Sequence, residues 1–245
     1  MLRLVDFQHF YVSPDHIDGT TCTIEGDEFR HAALVLRKKI GDALTAIDGK
    51  GFLYSGNIIE MNKKHLVMSI DEQIYNVGES RLRLSLALSL LKGNHFEWVV
   101  EKGTELGIAV FQPMITEHTV VEGGLKTERR WQKALAAMKQ SGRSICPEIQ
   151  QPCHFSELLE KSSWEMAFIA HEHAAEEKEI NWSALQSITR ATLFVGPEGG
   201  FSSSEVETAV QHGVIPIYLG QRRLRSETAA LAGAVKILAF AGDLG

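Results

Sequence analysis

From Arg81 to the end of the chain, short apolar segments of strand character alternate with segments whose apolar residues recur at helical spacing. We predict strands at residues 81–91, 109–115, 165–170, 191–195 and 214–219, and helices at residues 96–106, 128–140, 203–212 and 227–240. Such alternation is typical of an open, mostly parallel sheet covered by helices. This part of the chain is therefore predicted to fold as an α/β domain.

The first 75 residues follow a different pattern, in which short runs of strand formers are separated by glycine, aspartate and asparagine. These runs comprise residues 21–24, 44–47, 52–59 and 65–70. One helical segment, residues 27–39, interrupts them. We predict a small β-barrel with one helix, a linker near residues 76–80, and two domains that comprise residues 1–75 and 76–245.

Composition narrows the class of protein. With 245 residues, 44% of them hydrophobic, the chain is long enough for two globular domains. The three cysteines form no disulfide framework and indicate a reducing compartment. The first residues lack the apolar run of a signal peptide, and every apolar segment is far shorter than the roughly 20 residues of a membrane-spanning helix. We expect a cytoplasmic protein with no membrane partner.

The net charge of −6, from 25 basic and 31 acidic residues, argues by itself against nucleic acid as a partner. The charge is nevertheless uneven along the chain. Residues 122–143 carry six basic and two acidic residues, a sum of +4, and residues 219–236 carry four basic residues and one acidic residue, a sum of +3. Most such runs are solvated helix faces, but two of them in one half of a chain can form a local anion site.

The clearest local signal is a glycine-rich loop, residues 196–201, between a predicted strand and a predicted helix. Ser202 and Glu205 are spaced as a capping box at the start of that helix, and Gly213 is placed to end it. Glycines at such a junction let a ligand approach the backbone, and the helix N-terminus favours anionic or polar groups. A tight turn without a ligand remains an equal alternative for this loop alone.

A second loop, residues 219–228, again joins a strand to a helix, and Ser226 is a candidate N-cap. Loops at the carboxyl ends of neighbouring strands converge on the crevice where open α/β sheets bind ligands. Arg225 and Glu227 would lie at that crevice, or form a surface ion pair. The sequence contains no dinucleotide-binding, P-loop or serine-hydrolase motif, and His171 and His173 lack the spacing of a zinc site. We therefore expect no metal.

Several separated motifs resemble one family. The segments LFVGPEGGFSSSEV and IPIYLGQRRLRSETAALAGAVKIL, with KGNHFEWVVEKGTELGI, QSGRSICPEI and H-x4-LR-x3-GD upstream, are similar to the bacterial 16S ribosomal RNA (uracil-N3) methyltransferases of the SPOUT class. The resemblance implies a PUA-like N-terminal β-barrel, followed by an α/β domain with a C-terminal trefoil knot. It also implies a homodimer that uses S-adenosylmethionine to methylate uracil N3 in small-subunit ribosomal RNA, as naked RNA or within an assembled subunit.

Carried onto this chain, the resemblance assigns cofactor-binding residues to both loops. They are Val195, Gly196, Glu198, Gly199, Gly200, Leu219, Gly220, Leu224 and Arg225. The strand end at residues 170–172 is a further candidate. Methylation at N3 requires removal of a weakly acidic proton and stabilisation of the charge that spreads to O2 and O4. A guanidinium suits this task, so we predict that Arg225 stabilises the uracilate and that Glu227 or Glu198 orients groups or accepts the proton.

We expect RNA contacts mainly from the N-terminal domain. The candidates are Arg30, His31, Arg37, Lys38 and, from the α/β domain, Arg143. Each has a structural alternative, such as a helix-end cation that interacts with the helix dipole. Members of the family usually begin with an Arg-Phe-Phe-like segment, whereas the matching place here reads His9-Phe10-Tyr11. At that position we expect a weaker cation than arginine.

Three other functions remain open at this point. One is a SPOUT methyltransferase with another target, such as a ribose 2′-hydroxyl. Another is a non-catalytic RNA-binding ribosome-assembly factor that uses only its PUA-like domain, and the third is a small-molecule α/β enzyme without RNA. The intact GPEGG and LRSET segments argue against a non-catalytic protein. A small-molecule α/β enzyme is distinguished by whether the basic segments adjoin the cofactor loops.

Overall fold

The computed structural model describes residues 9–120, 127–161, 164–172 and 180–244. Contacts divide the chain into two units: Met1–Glu79 with Leu135–Cys146, and Ser80–Ala134 with Pro147–Gly245. The sequence predicts a single break near residues 76–80, but residues 135–146 also belong to the first unit. His173, considered above as a metal ligand, lies outside the described residues.

The first unit is built on a curled seven-stranded sheet. Its strands are β1 (Phe10–Tyr11), β2 (Ile17–Asp18), β3 (Thr21–Glu25), β4 (Ala43–Ile47), β5 (Phe52–Met61), β6 (His65–Ser69) and β7 (Glu72–Tyr75). They are arranged in the order β1-β4-β5-β6-β3-β2, and β7 pairs with β5. All neighbours are antiparallel except β1 and β4. Alternate residues such as Cys22, Ile24, Leu66 and Met68 are buried, as a strand with one face on a core requires.

The predicted helix at residues 27–39 is shorter and less regular than expected. Helix α1 spans Gly26–Arg30, and a π-helical turn continues it over His31–Val35. The Leu36 N–H donates to the His31 carbonyl at 3.0 Å, which is the wider π spacing. Arg37 then adopts a positive φ of 54°, a left-handed conformation that ends the helical path.

The second unit contains a second seven-stranded sheet, which is wholly parallel. Its strands are β8 (Arg83–Ser89), β9 (Val110–Ile115), β10 (Glu148–Ile149), β11 (Cys153–His154), β12 (Met166–Ala170), β13 (Arg190–Val195) and β14 (Ile215–Ile217). The order is β10-β9-β8-β13-β12-β14, with β11 also on β9. This confirms the α/β domain and its mostly parallel sheet.

Pro113 lies within β9, although proline cannot donate to a sheet ladder. The Phe111 carbonyl accepts from Gln150 on the outer side of β9, so the proline nitrogen, two residues on, also faces that side. On that side β10 ends at Ile149 and β11 begins only at Cys153, so no strand pairs with β9 between them. The strand therefore continues past the proline because the missing donor falls where no strand pairs.

Five further α-helices are α2 (His95–Glu105), α3 (Thr127–Ser141), α4 (Phe155–Lys161), α5 (Ser203–Gln211) and α6 (Ser226–Ala241), and short 3₁₀ helices span Pro14–His16 and Trp182–Gln186. The predicted capping box is confirmed, since Ser202 Oγ accepts from the Glu205 N–H and the Glu205 carboxylate accepts from the Ser202 N–H. Among the described residues, no helix combines the length and the apolar character that crossing a membrane requires.

Candidate functional site

Three neighbouring parallel strands direct the candidate loops to one edge of the second sheet. Strand β12 lies between β13 and β14, and all three run in the same direction. The glycine-rich loop follows β13 at Val195, the arginine-rich loop follows β14 at Ile217, and His171 follows β12. Because the carboxyl ends of parallel strands share one edge, the three segments meet there, as the sequence predicted.

These segments enclose a cavity of about 490 Å³. All nine residues predicted to bind the cofactor line it: Val195, Gly196, Glu198, Gly199, Gly200, Leu219, Gly220, Leu224 and Arg225. The end of β12 contributes Ala170, His171 and Glu172. The cavity thus combines backbone of two glycine-containing loops with apolar side chains and three arginines, Arg222, Arg223 and Arg225, although its ligand remains a prediction.

Close packing within the glycine-rich loop explains why its first residue, Gly196, is a glycine. A Cβ added to Gly196 would lie 3.0 Å from the Gly200 carbonyl carbon, so a larger residue would displace backbone. The Gly200 N–H donates to the Pro197 carbonyl at 2.9 Å, which closes the turn. From outside the loop, His118 Nδ1 lies 3.2 Å from the Gly200 carbonyl oxygen. The backbone is therefore held in a compact path at one wall of the cavity.

The arginine-rich loop, residues 219–228, contains Gly220, whose φ of 114° is a conformation that side chains disfavour. Lys236 Nζ on α6 donates to the Tyr218 carbonyl at 3.3 Å and so supports the start of the loop. The predicted N-cap at Ser226 is wrong, because Arg225 holds that position. Arg225 has extended backbone, and its carbonyl accepts from the Ala229 N–H at 2.8 Å. Ser226 is instead the first helical residue and is buried.

Some charged side chains near this cavity face an oppositely charged side chain, and others do not. Arg223 Nε lies 3.7 Å from Glu172 Oε2. The Arg225 guanidinium is exposed and has neither a hydrogen bond nor an ion pair within the described ranges. The alternative of an Arg225–Glu227 ion pair does not occur, because Glu227 Oε1 lies 3.4 Å from Nδ1 of His95 on α2. Arg225 is thus available to an anionic ligand.

A second cavity, of about 820 Å³, adjoins the first. Three residues, Arg223, Leu224 and Arg225, line both. The other residues of this second cavity are Asn94, His95, Trp98, Glu227 and Thr228. Glu227 therefore belongs to the second cavity, whereas Glu198 belongs to the first. The sequence alone does not reveal that the two carboxylates line different cavities.

Four of the predicted RNA contacts occupy one segment of the first unit. Arg30 and His31 are exposed, with Arg30 paired to Asp27 and the His31 ring against the edge of Phe10. Arg37 is exposed, and Lys38 Nζ donates to the Ala43 carbonyl at 3.0 Å. Leu34, Val35 and Ile40 expose apolar surface in the same segment. RNA binding by these residues remains a prediction.

The placement of Arg143 argues against its predicted RNA contact. Its side chain is 3% exposed, and its Nε and Nη2 atoms donate to Glu79 Oε2 at 3.1 and 2.7 Å. A guanidinium enclosed in this way has no surface to offer to RNA, so we withdraw that contact. His9 is likewise buried: its Nδ1 lies 3.0 Å from Thr45 Oγ1, and burial lowers its pKa. A histidine in this setting is an even poorer cation than expected.

Some residues at the two cavities escaped the sequence analysis. His118 lies beside the glycine-rich loop, Tyr218 lines the first cavity, and His95 and Trp98 line the second. His95 and Trp98 belong to the KGNHFEWVVEKGTELGI motif, which therefore carried a signal. His118 follows β9, two strands away from the glycine-rich loop in the sheet order, and no sequence spacing links them.

Comparisons with known proteins agree with this architecture. Residues 78–238 match the profile of the RNA methyltransferase domain family, and residues 24–71 match that of the RNA methyltransferase PUA domain. The ribosomal RNA small subunit methyltransferase E of Synechocystis is 30% identical over 94% of this chain and 76% of its own length. That of Bacillus subtilis is 29% identical over 87% of this chain and 88% of its own.

A solved structure extends the agreement to three dimensions. The ribosomal RNA small subunit methyltransferase E of Neisseria gonorrhoeae, bound to S-adenosyl methionine, superimposes with a TM-score of 0.82 at 28% identity. The match covers 95% of this chain and 97% of the other. The PUA domain implied by the resemblance is confirmed by the family profile. The chain belongs to the RNA methyltransferase family, with a PUA domain preceding its α/β methyltransferase domain.

Proposed function

We propose that this protein transfers a methyl group from S-adenosylmethionine to N3 of a specific uridine in the 16S ribosomal RNA of the small subunit. The observation that carries the proposal is the first cavity, where the glycine-rich and arginine-rich loops meet beside an Arg225 without a protein partner among the described residues. Relatives named for small-subunit ribosomal RNA methylation, one crystallised with S-adenosyl methionine, support the choice of substrate and methyl donor.

The residues of the first cavity fit such a methyl donor. Gly196 and Gly220 bring backbone to the cavity wall, where it can bind the polar groups of a nucleoside. Leu219 and Leu224 supply apolar surface for an adenine ring, and Glu198, Gly199 and Gly200 provide the opposite loop. The donor would supply an electrophilic methyl group on a sulfonium. The chain's own residues would hold it and exclude competing orientations.

Arg225 would carry the electrostatic part of catalysis. Deprotonation at N3 spreads negative charge over O2 and O4, and a guanidinium presents a fixed fork of donors to such an anion. Arg225 lines both cavities, so one side chain can face the methyl donor and the uracil together. The Glu198 or Glu227 carboxylate would orient groups or accept the proton.

The remaining expectations concern organisation. We propose that residues 1–75 bind the ribosomal RNA through Arg30, His31, Arg37 and Lys38, and that residues 76–245 carry catalysis. Helix α6 packs on β8 and β13 after the chain has left β14, a return that supports the expected trefoil knot. The resemblance described above supports a homodimer. The protein would act in the cytoplasm.

Mass spectrometry of ribosomal RNA nucleosides tests the proposal. Cells that lack this protein should lose one N3-methyluridine from 16S ribosomal RNA, and the purified enzyme with S-adenosylmethionine should restore it. Parallel reactions on naked RNA and on assembled small subunits identify the substrate form. Retention of every N3-methyluridine would refute the assignment. A lost 2′-O-methyl group would identify the other target class, and absence of S-adenosylmethionine binding in calorimetry would indicate a non-catalytic factor.

A further inference from the structure

The second cavity has the composition of a site for a nucleobase. It is lined by an aromatic ring, Trp98, two guanidinium groups, Arg223 and Arg225, and a histidine–carboxylate pair, His95 and Glu227. We propose that this cavity seats the target uracil, with Trp98 against the face of the base and His95 as the acceptor of the N3 proton. This inference rests on the proposed function, and it assigns the methylation a uracil-binding cavity and a general base, His95.

Trp98 provides the stacking surface. On α2 its neighbours Phe96, Val99 and Val100 are buried at 1%, 0% and 0% exposure, whereas Trp98 is 45% exposed. An indole left open beside two arginines is the combination on which proteins stack single-stranded bases. The adjoining first cavity shares Arg223, Leu224 and Arg225, so a base here would lie next to the proposed methyl donor.

The pair formed by His95 and Glu227 orients the imidazole. Nδ1 of His95 lies 3.4 Å from Glu227 Oε1, and the two side chains are 48% and 14% exposed. The Glu227 carboxylate would favour the tautomer with its hydrogen on Nδ1, which would leave the lone pair on the other nitrogen, Nε2. Nε2 has no partner in the part of the chain that the structure describes. Glu227 is thus a positioning residue, and His95 is the group that touches the substrate.

The cavity's other charges favour this assignment. Arg223 and Arg225, from the loop before α6, face the same space as His95, and Glu227 is the acidic residue there. The guanidinium cations would draw the developing uracilate toward Arg225, while Glu227 stabilises the imidazolium that forms when His95 accepts a proton. The negative charge of the substrate and the positive charge of the base therefore form beside groups of opposite sign.

The step balances without a further reactant. The N3–H bond breaks and its proton passes to Nε2 of His95. The electron pair on N3 forms the bond to the methyl carbon, and the methyl–sulfur bond breaks with its pair left on sulfur. The products are N3-methyluracil, the neutral thioether and an imidazolium at His95, which returns its proton to water before the next turnover.

Two variants test the two parts of the proposal in the full-length protein. Trp98→Ala should weaken binding of a 16S RNA fragment about tenfold, or about 1.4 kcal/mol, as expected for the loss of one base stack, while Trp98→Phe retains most of the affinity. His95→Ala should lower the single-turnover rate about a hundredfold, the low end of general-base effects, and added imidazole should restore part of it. Both variants should bind S-adenosylmethionine like the wild type.

His212→Ala is the matched histidine control, because His212 is exposed at the end of α5 and lines neither cavity. It should leave RNA affinity and rate unchanged. If the wild type methylates uracil N3, and Trp98→Ala keeps its RNA affinity while His95→Ala keeps its single-turnover rate, the uracil binds elsewhere. A slow His95→Ala enzyme that imidazole does not rescue would overturn the proton-acceptor role. A wild type that methylates no uracil N3 would overturn the proposed function together with this inference.

Discussion

The two basic stretches of the chain, residues 122–143 and 219–236, use their cations in opposite ways. In the first stretch, four of the five basic residues that the structure describes face carboxylates. The pairs are Arg130 with Glu97, Lys133 with Glu101, Lys139 with Glu28, and Arg143 with Glu79. In the second stretch, Arg222, Arg223 and Arg225 line cavities, and of these only Arg223 faces a carboxylate within the described residues. A local charge sum therefore does not locate an anion site by itself.

The contrast is sharpest between Arg143 and Arg225. Arg143 is enclosed, and the carboxylate it faces also accepts from the Ser144 and Ile145 N–H groups at 3.0 and 2.9 Å. Arg225 precedes a helix, is exposed, and faces two cavities. Arg143 follows the C-terminus of α3, whereas Arg225 precedes the N-terminus of α6. Glu79, distant in sequence, gives Arg143 a structural role, while the catalytic role of Arg225 stays a prediction.

Loss of Glu79 should give the largest effect. Glu79→Ala leaves the Arg143 guanidinium enclosed without its carboxylate and removes the acceptor of two backbone donors, so unfolding should become easier by about 3–5 kcal/mol. Urea denaturation measures the change. Glu72→Ala, at an exposed glutamate of the same unit, should cost at most about 0.5 kcal/mol.

A double variant sharpens the interpretation of Glu79. Glu79→Ala combined with Arg143→Met removes both charges and should recover part of the lost stability, because the unpaired cation is then gone. If Glu79→Ala is as stable as the wild type, the Glu79–Arg143 pair does not stabilise the fold. Arg143 would then have no more of a structural role than Arg225.

Replacement of Arg225 should leave the fold intact and damage turnover. Arg225→Ala should lower the methylation rate about a hundredfold or more, because it removes a donor aimed at the charge that develops on uracil. Stability should change by no more than about 0.5 kcal/mol, since no described residue bonds to its side chain. Single-turnover methylation and urea denaturation, measured together, test both halves.

Arg190→Ala is the matched arginine control, since Arg190 is exposed in the same unit and, of the carboxylates that the structure describes, its side chain faces only that of Glu165, at 3.7 Å. It should alter neither rate nor stability appreciably. An Arg225→Ala enzyme with full turnover and normal S-adenosylmethionine binding would show that the exposed arginine has no catalytic task.

The outline of the fold could be read from the sequence because periodicity reports local structure. The parallel sheet and the Ser202–Glu205 capping box both follow from neighbouring residues. The segment at residues 27–39 was misjudged because apolar spacing does not reveal that Arg37 adopts a positive φ. Ser226 was misjudged because serine at a helix start suits either the cap or the first turn.

The site was predictable to the extent that it is made of contiguous loops. All nine candidate cofactor residues line one cavity because they belong to two loops at neighbouring strand ends. His95, Trp98 and His118 reach the same region from α2 and from the segment after β9, far away in sequence. Glu79 and Arg143 likewise meet across 64 residues. Pairings of this kind depend on the tertiary structure, which local patterns do not encode.

The reactivity of Cys146 measures how closely the chain packs around Arg143, and the expected effect is smaller than the preceding ones. Burial raises the pKa of its thiol to about 11, while Arg143 and Lys50 act in the opposite direction. Its N–H donates to the Gly49 carbonyl at 3.0 Å, so the thiol is held beside the turn. At pH 8 the thiolate that alkylating reagents require is scarce, and reaction with iodoacetamide should be about tenfold slower than in the urea-unfolded chain. Peptide mass spectrometry measures the rate of alkylation at this cysteine.

Glu79→Ala should accelerate the alkylation of Cys146, because the turn opens when Arg143 loses its carboxylate. Equal rates in the folded and unfolded wild type would mean that the turn is open and that Arg143, like Arg225, is accessible to solvent.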